Sequence, residues 1–436
     1  MASVLNGIKV PHFKNTHDYT TENLPTPKQV KIVMSQHIGK DCDPTVAVGD
    51  HVNIGQVIGD SDALFSAPIH ASVSGTVTAI STFIMPNGKK TQAVVIDSDE
   101  EQTLDPNIKP PAVNDFDSFI AATRNSGLVG LGGAGFPTHV KFSPKNLDEV
   151  HTLIINGAEC EPYITSDYQT MIEDSKEDLF HGIQAVMKYL NLSKCIIAVE
   201  DNKPKAIKKL ENIAKNYPDV SIVSLPAVYP QGAEKVLIYN TMNGLVIPEG
   251  KLPADVGVIV SNVTTIAVLG QYLRDGVPLV GKRVTVEGGA VANKKNVYAP
   301  LGASIKNIVD FCGGYKEEPK KILLGGPMMG ISTVDDSFPL LKNNNALLAL
   351  NAKETEINVE TPCIRCGACV RACPMNLMPF LMKTYTEHED VAELEKLKVN
   401  LCIECGCCSY VCPARQELVP AHKRGKQLLN NSKKAN

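Results

Sequence analysis

Residues 130–141 read GLGGAGFPTHVK, and Gly130, Gly132 and Gly135 fit the G-x-G-x-x-G template of dinucleotide-binding turns. How the middle of the chain folds depends on whether that template holds. In a Rossmann unit the glycines follow a strand and open a helix, and an acidic residue closes the second strand about 20 positions on. Here Asn114 or Asp115 caps a helix carrying Phe116, Phe119 and Ile120, so the loop follows a helix. Asp148 and Glu149 come before the strand-like HTLIIN of residues 151–156. Position and order both argue against the Rossmann reading.

Beyond the loop, strands and helices alternate. HTLIIN leads into NGAECEP and then a helix opened by the capping box Ser175-x-x-Asp178, with apolar Leu179, Ile183, Val186 and Leu190. CIIAV from Cys195, VSIVSL ending at Leu225 and GVIV at 257–260 read as further strands, with the helix AIKKLENIAKNY between the first two. The alternation predicts a parallel sheet covered on both faces. Ligands of such sheets bind outside the carboxyl ends of the strands. Asn156 to Glu161, Glu200 with Asp201, Tyr229 to Glu234 in YPQGAE, and Ser261 with Asn262 in SNVTT lie there. Their amides and carboxylates suit an isoalloxazine edge or a ribitol, and their glycines let backbone N–H groups approach a phosphate.

The chain has 436 residues and thirteen cysteines, nine of them within residues 363–412. Cys363, Cys366, Cys369, Cys373-Pro374 and Cys402, Cys405, Cys408, Cys412-Pro413 are two copies of C-x2-C-x2-C-x3-C-P. This spacing winds three thiolates around one cubane cluster and sends the fourth to the other. Cluster one is then assigned to Cys363, Cys366, Cys369 and Cys412, and cluster two to Cys402, Cys405, Cys408 and Cys373. A zinc site needs four ligands and has no use for the whole pattern given twice. Two [4Fe-4S] clusters carry single electrons, and no substrate pocket or acid–base pair accompanies them. Cys407, Cys42, Cys195 and Cys312 read as small buried apolar residues.

A formal net charge of −4 and a pI near 6.2 argue against nucleic-acid binding. No apolar run reaches the roughly 18 to 20 residues of a membrane-spanning helix, and MASVLNGIKV lacks the apolar core of a signal peptide. A cytoplasmic chain without a transmembrane segment of its own is expected. In residues 30–98, TVAVGDHVNIGQVIG and SAPIHASVSGTVTAI form two β-rich halves that look like a biotinyl/lipoyl-type barrel-sandwich. Pro68-Ile69-His70-Ala71 occupies the turn where a carrier lysine would sit, so a structural or docking role is expected.

GLGGAGFPTHVK, NGAECEP, YPQGAE and SNVTT, in this order, resemble the FMN- and NADH-binding motifs of the flavoprotein subunit of respiratory complex I. With the N-terminal module and the double cysteine motif, the chain resembles the RnfC family of the Rnf complex across nearly its whole length. The resemblance implies a multidomain α/β chain of four parts: a barrel-sandwich at 1–105, a parallel α/β FMN/NADH domain at 106–274, a β-grasp domain at 275–345, and an α-helical two-cluster ferredoxin-like domain at 355–436. RVTVEGG, ASIKNIVDFCGG and KKILLGG supply the β-grasp pattern; with no charged pocket visible, that domain reads as a connector.

Carried over by motif, the resemblance implies that Gly130, Gly132, Gly133, Lys141, Asn156, Glu159, Tyr229, Gly232, Glu234 and Asn262 surround non-covalent FMN. Phe136 and Glu161 would face NAD(H), the first by stacking and the second by hydrogen bonding. Leu131, Ala158, Cys160 and Ala233 depart from the complex I pattern, where arginine, aspartate, serine and glutamate stand, so nucleotide preference does not carry over. NADH gives two electrons as hydride and a cluster accepts one, a mismatch that a flavin bridges, so no side chain is assigned acid–base catalysis. The implied role is a peripheral subunit on the cytoplasmic side of the cell membrane, in a Na+- or H+-translocating ferredoxin:NAD+ oxidoreductase. Its implied partners are integral membrane subunits, an iron–sulfur subunit and, indirectly, ferredoxin. The alternatives are a soluble cobalamin-reductase-like flavoprotein, whose barrel-sandwich follows the flavin domain instead of preceding it, and an electron-transfer scaffold without flavin.

Overall fold

A computed structural model describes residue 5 and residues 7–99, 101–356 and 359–435. The central sheet has four parallel strands in the spatial order Val220–Leu225, Lys194–Glu200, Thr152–Gly157, Val258–Asn262. Its inner strands are near-continuous aliphatic runs buried on both faces, as a helix-covered parallel sheet requires. The edge strand Val220–Leu225 instead exposes Ser221 and Ser224. From Thr152–Gly157 the chain winds outward through two strands and then returns to the opposite side for Val258–Asn262. The order therefore reverses between Thr152–Gly157 and Val258–Asn262, the switch point at which sheets of this topology have their crevice, outside the carboxyl ends of the strands. The sheet is doubly wound, yet the glycine loop is not one of its strand-to-helix turns.

Helix Phe116–Asn125 precedes that loop, with Asp115 and Ser118 forming a reciprocal capping box. The box expected at Ser175 does not form. Helix starts earlier, at Ser166–Glu173, and passes through the π turn Ser175–Leu179 into Phe180–Tyr189. The Asp174 carbonyl already accepts the N–H groups of Asp178 (3.3 Å) and Leu179 (3.0 Å). No free donor faces the Ser175 hydroxyl, which is buried without a hydrogen-bond partner among the described residues, and Asp178 pairs with Arg274 instead.

The N-terminal barrel-sandwich packs a four-stranded antiparallel sheet (Gln29–Val33, Lys90–Ser98, Gly75–Ile84, His51–Val52) against a three-stranded one (Asp43–Pro44, Val57–Asp60, Ile69–His70). Ile32, Met34, Ile58, Ile69, Val77 and Ile96 fill it. A third, six-stranded mixed sheet runs in the order Thr21–Asn23, Lys295–Pro300, Gly281–Glu287, Ala346–Leu350, Lys321–Leu324, Ile331–Thr333. Its outermost strand is lent by the N-terminal arm. The arm also bridges the central domain, where Ile8 and Tyr229 exchange backbone hydrogen bonds of 2.8 and 2.9 Å. The C-terminal part is helical, and its longest helix is Leu418–Ala435. Among the described residues no helix is long and apolar enough to cross a membrane.

Candidate functional site

The glycine loop docks from outside onto the crevice. Leu131 N–H donates to Thr265 Oγ1 (3.0 Å) at the start of helix Val263–Asp275. Lys141 Nζ donates to Val260 O (2.9 Å) and pairs with Glu234 (3.2 Å). A Cβ on Gly132 would lie 2.8 Å from Asn262 Nδ2, so only glycine lets the loop approach this closely. Gly130 N–H and Gly135 N–H close the turn on Phe136 O and Gly130 O. Gly132, Gly133 and Ala134 are exposed residues, and their N–H groups find no acceptor among the described residues. Three successive free donors are the kind of group an anion-binding nest uses. Gly130, Gly132, Gly133, Lys141, Glu234 and Asn262 thus converge.

The crevice floor is held by charges buried with their partners. Asn156 Nδ2 donates to Gly232 O (2.8 Å), and Gly232 N–H reaches Cys160 Sγ (3.3 Å), which ties the NGAECEP and YPQGAE loops together. Glu159, with φ of 48°, turns its carboxylate onto the N–H groups of Asp167 (2.6 Å) and Tyr168 (3.2 Å). It serves as a remote cap for helix Ser166–Glu173, a place favoured for negative charge. Lys14 Nζ holds the carbonyls of Glu159 (2.9 Å), Glu161 (3.0 Å) and Ile164 (2.5 Å). Asp167 accepts from Asn262 Nδ2 (2.7 Å) and Thr264 Oγ1 (2.6 Å). Burial raises the pKa of Glu159 and Asp167 and lowers that of Lys14. Lys203 pairs with Glu200 at 3.0 Å, fully buried, and donates to Ala158 O.

Three residues point elsewhere. Tyr229 is 1% exposed, and its hydroxyl donates to Cys405 O (2.7 Å) in the C-terminal part. Glu161 accepts from Met328 N–H (3.1 Å), in a loop of the six-stranded sheet; its other oxygen is buried without a partner among the described residues, and burial pushes its pKa up to about 7. Phe136 meets Phe65 of the barrel-sandwich edge-on, centroids 5.8 Å apart at 74°. Lys14, Asp167 and Lys203 tie these loops together without any motif to announce them. The strand RVTVE, read as a plain connector, buries Arg283 and Glu287 together with the preceding Lys282. Arg283 pairs with Glu173 and Asp174, both at 2.8 Å.

In the C-terminal part, Cys363, Cys366, Cys369 and Cys412 line one cavity, and Cys373, Cys402, Cys405 and Cys408 line another. Cys407 borders the second, but its thiol turns to Tyr229 O (3.8 Å). The two halves repeat in detail. Arg365 N–H and Glu404 N–H donate to Cys363 and Cys402 sulfur, and Leu377 N–H and Gln416 N–H to Cys373 and Cys412 sulfur, all at 3.4 Å. Arg365, Glu404, Asn376 and Arg415, at matching positions, all have φ between 54° and 58°. Non-glycine residues held in that region mark a backbone shaped for function. Among the described residues no three His, Cys, Asp or Glu side chains converge to hold a single metal ion. Each cavity is lined by four thiols and supplied with N–H donors to sulfur, a donor set that fits a cubane cluster. His422 Nε2 donates to Pro379 O (3.0 Å), and its Nδ1 faces Cys402 sulfur at 3.6 Å.

A doubly wound domain with a glycine loop of free N–H donors packed at its switch point, joined to a dicluster module, defines an iron–sulfur flavoprotein of the complex I type. Family descriptions agree along the chain: "RnfC Barrel sandwich hybrid domain" at residues 2–101, "Nuo51 FMN-binding domain" at 123–271, "SLBB domain" at 283–332 and "4Fe-4S dicluster domain" at 355–426. The C subunit of the proton-translocating ferredoxin:NAD(+) oxidoreductase complex of Clostridium ljungdahlii is 42% identical, over 89% of this chain and 85% of its own length. Its counterpart in the Na(+)-translocating complex of Acetobacterium woodii is 40% identical over 83% and 82%. The chain belongs to the RnfC family, the C subunits of ion-translocating ferredoxin:NAD+ oxidoreductase complexes. An NAD+-reducing [NiFe]-hydrogenase in the air-oxidized state shares the fold, with a TM-score of 0.50 at 17% identity over 73% of this chain and 66% of that one.

Proposed function

We propose that this chain is the NAD(H)-handling subunit of a membrane-bound, ion-translocating ferredoxin:NAD+ oxidoreductase, peripheral on the cytoplasmic side and partnered by membrane and iron–sulfur subunits. The observation that carries this reading is the connection from nest to thiols: the free N–H groups of Gly132 to Ala134 lie at one end of the crevice, and Tyr229 links its YPQGAE wall to Cys405. Bound FMN would supply the conversion between two-electron and one-electron transfer. The chain's residues provide for it as follows. The nest and Lys141 take the phosphate, while Asn156, Gly232, Glu234 and Asn262 line the ring and ribitol. Glu159 and Tyr229 act behind them, one fixing the floor and the other the cluster module. Phe136 and Phe65 form an aromatic mouth for a nicotinamide nucleotide. The two thiol quartets hold one [4Fe-4S] cluster each, that of Cys402, Cys405, Cys408 and Cys373 beside the crevice and that of Cys363, Cys366, Cys369 and Cys412 farther out, where Cys363 and Cys366 are exposed.

Protein reconstituted with iron, sulfide and FMN tests the reading. It should retain two four-iron clusters' worth of iron and one flavin per chain, and oxidise NADH with an artificial acceptor. Full iron without flavin and without NADH oxidation would leave only an electron-transfer scaffold.

A further inference from the structure

Two lysines lie behind the glycine loop without a carboxylate partner among the described residues. Lys282, in strand Gly281–Glu287, is 2% exposed, and its Nζ donates to Leu131 O (3.2 Å) and Lys342 O (2.9 Å). Lys342 is fully buried and donates to Pro68 O and Gly127 O, both at 2.7 Å. All four acceptors are carbonyls. Burying an ammonium among carbonyls alone is costly, and such charges are ordinarily paired. Asp167 is the charged group whose field favours Lys282. The field of Lys342 falls on Cys42, His37 and His70, and Asp60 lies within its reach.

The geometry gives the first lysine a use. In a trans peptide the C=O and the following N–H point in opposite directions. Lys282 draws Leu131 O inward, so Gly132 N–H, first donor of the nest, turns outward. Gly127 O, held by Lys342, anchors the base of the same loop to Pro68 of the barrel-sandwich, where the segment expected as a turn runs instead as the strand Ile69–His70.

We propose that Lys282 is a positioning residue of the phosphate cradle: it fixes the Leu131–Gly132 peptide with its N–H outward and sets an unpaired positive charge behind the nest, which a phosphate monoester on Gly132 to Ala134 neutralises. Lys342 clamps the loop base in support. This deepens the FMN reading and rests on it. It also makes the β-grasp strand a structural part of the flavin site, acting through the loop from behind. Burial lowers the Lys282 pKa to about 7, so a bound dianion should raise its protonated fraction.

The test compares FMN with riboflavin, which lacks the phosphate, on the full chain with its clusters. Wild type should bind FMN far more tightly. In Lys282→Gln, which keeps a donor but loses the charge, and in Lys282→Met, FMN affinity should fall on the order of tenfold or more while riboflavin affinity stays as in wild type. Lys282→Arg should recover most of the preference. Unchanged iron content and circular dichroism identify the folded variants. If FMN and riboflavin weaken together, the lysine is only structural; if either charge-free variant keeps the full preference, the charge is idle. Both results overturn the proposal and leave the flavin reading standing. A wild type that showed no preference for FMN would remove the flavin reading and the proposal with it.

Discussion

Glu161 shows at the residue scale what burial does to a carboxylate. One oxygen takes the Met328 N–H and the other has no partner among the described residues, and burial moves its pKa from the ordinary 4.5 to about 7. The folded chain therefore keeps a proton that the unfolded chain has released between those values. More protons are bound in the native state, so stability falls as pH rises through that window. Glu161→Gln keeps the acceptor for Met328 and cannot ionise. The thermal midpoint of this variant should match wild type near pH 5 and exceed it near pH 8; an equal difference at both would discard the assignment. Glu161 also marks the limit of what single residues disclose. NGAECEP identifies it as polar and close to strand ends, but its neighbour Met328 is 167 positions away. Lys14, 145 positions from Glu159, had no visible role at all.

At the scale of elements, strands were legible and helix starts less so. HTLIIN, CIIAV, VSIVSL and GVIV announce themselves because a buried parallel strand is a short unbroken aliphatic run. Helix Phe116–Asn125 is equally plain, since its cap lies within its own sequence. Helix Ser166–Glu173 is not, because its cap is Glu159, folded back from the preceding loop, whereas the conventional signal at Ser175 falls inside a π turn with no donor to spare. The glycine loop divides in the same way: its composition speaks for close backbone approach, but only the fold says to what. Gly132 approaches Asn262, so Gly132→Ala should push that amide off Asp167 and Thr265, an overpacking worth about 1–3 kcal/mol. FMN retained after desalting should drop while iron stays constant, and shortening the neighbour in Gly132→Ala/Asn262→Ser should restore part of it. A double variant no better than the single one would show that steric conflict with Asn262 is not the cause.

At the scale of the molecule, sequence order and spatial order part company. The chain reads as barrel-sandwich, flavin domain, β-grasp and clusters in line, but the N-terminal arm edges the third sheet and pairs with Tyr229, and the β-grasp strand reaches under the glycine loop. The folded chain therefore brings one thiol quartet near the crevice and leaves the other outside. Tyr229 binds Cys405 O and receives the Cys407 thiol, so the Cys402 quartet adjoins the flavin domain. In the other quartet Cys363 and Cys366 are exposed, with Ile364 between them 68% exposed, an open approach for an external redox partner. Because the fourth cysteine of each motif lines the other motif's cavity, Cys412→Ser should damage the outer cluster, although Cys412 is near the inner one in sequence. NADH should then still reduce the inner cluster, seen by electron paramagnetic resonance, while transfer to an external protein acceptor falls sharply. Cys402→Ser should do the reverse, leaving an outer cluster that NADH reduces only slowly but that a soluble chemical reductant reaches as in wild type. If Cys412→Ser removed the signal of the Cys402 cluster instead, cross-ligation would be wrong. If Cys402→Ser left NADH reduction of the outer cluster at full rate, electrons would not pass through the inner site, and the Tyr229 contact would be structural only.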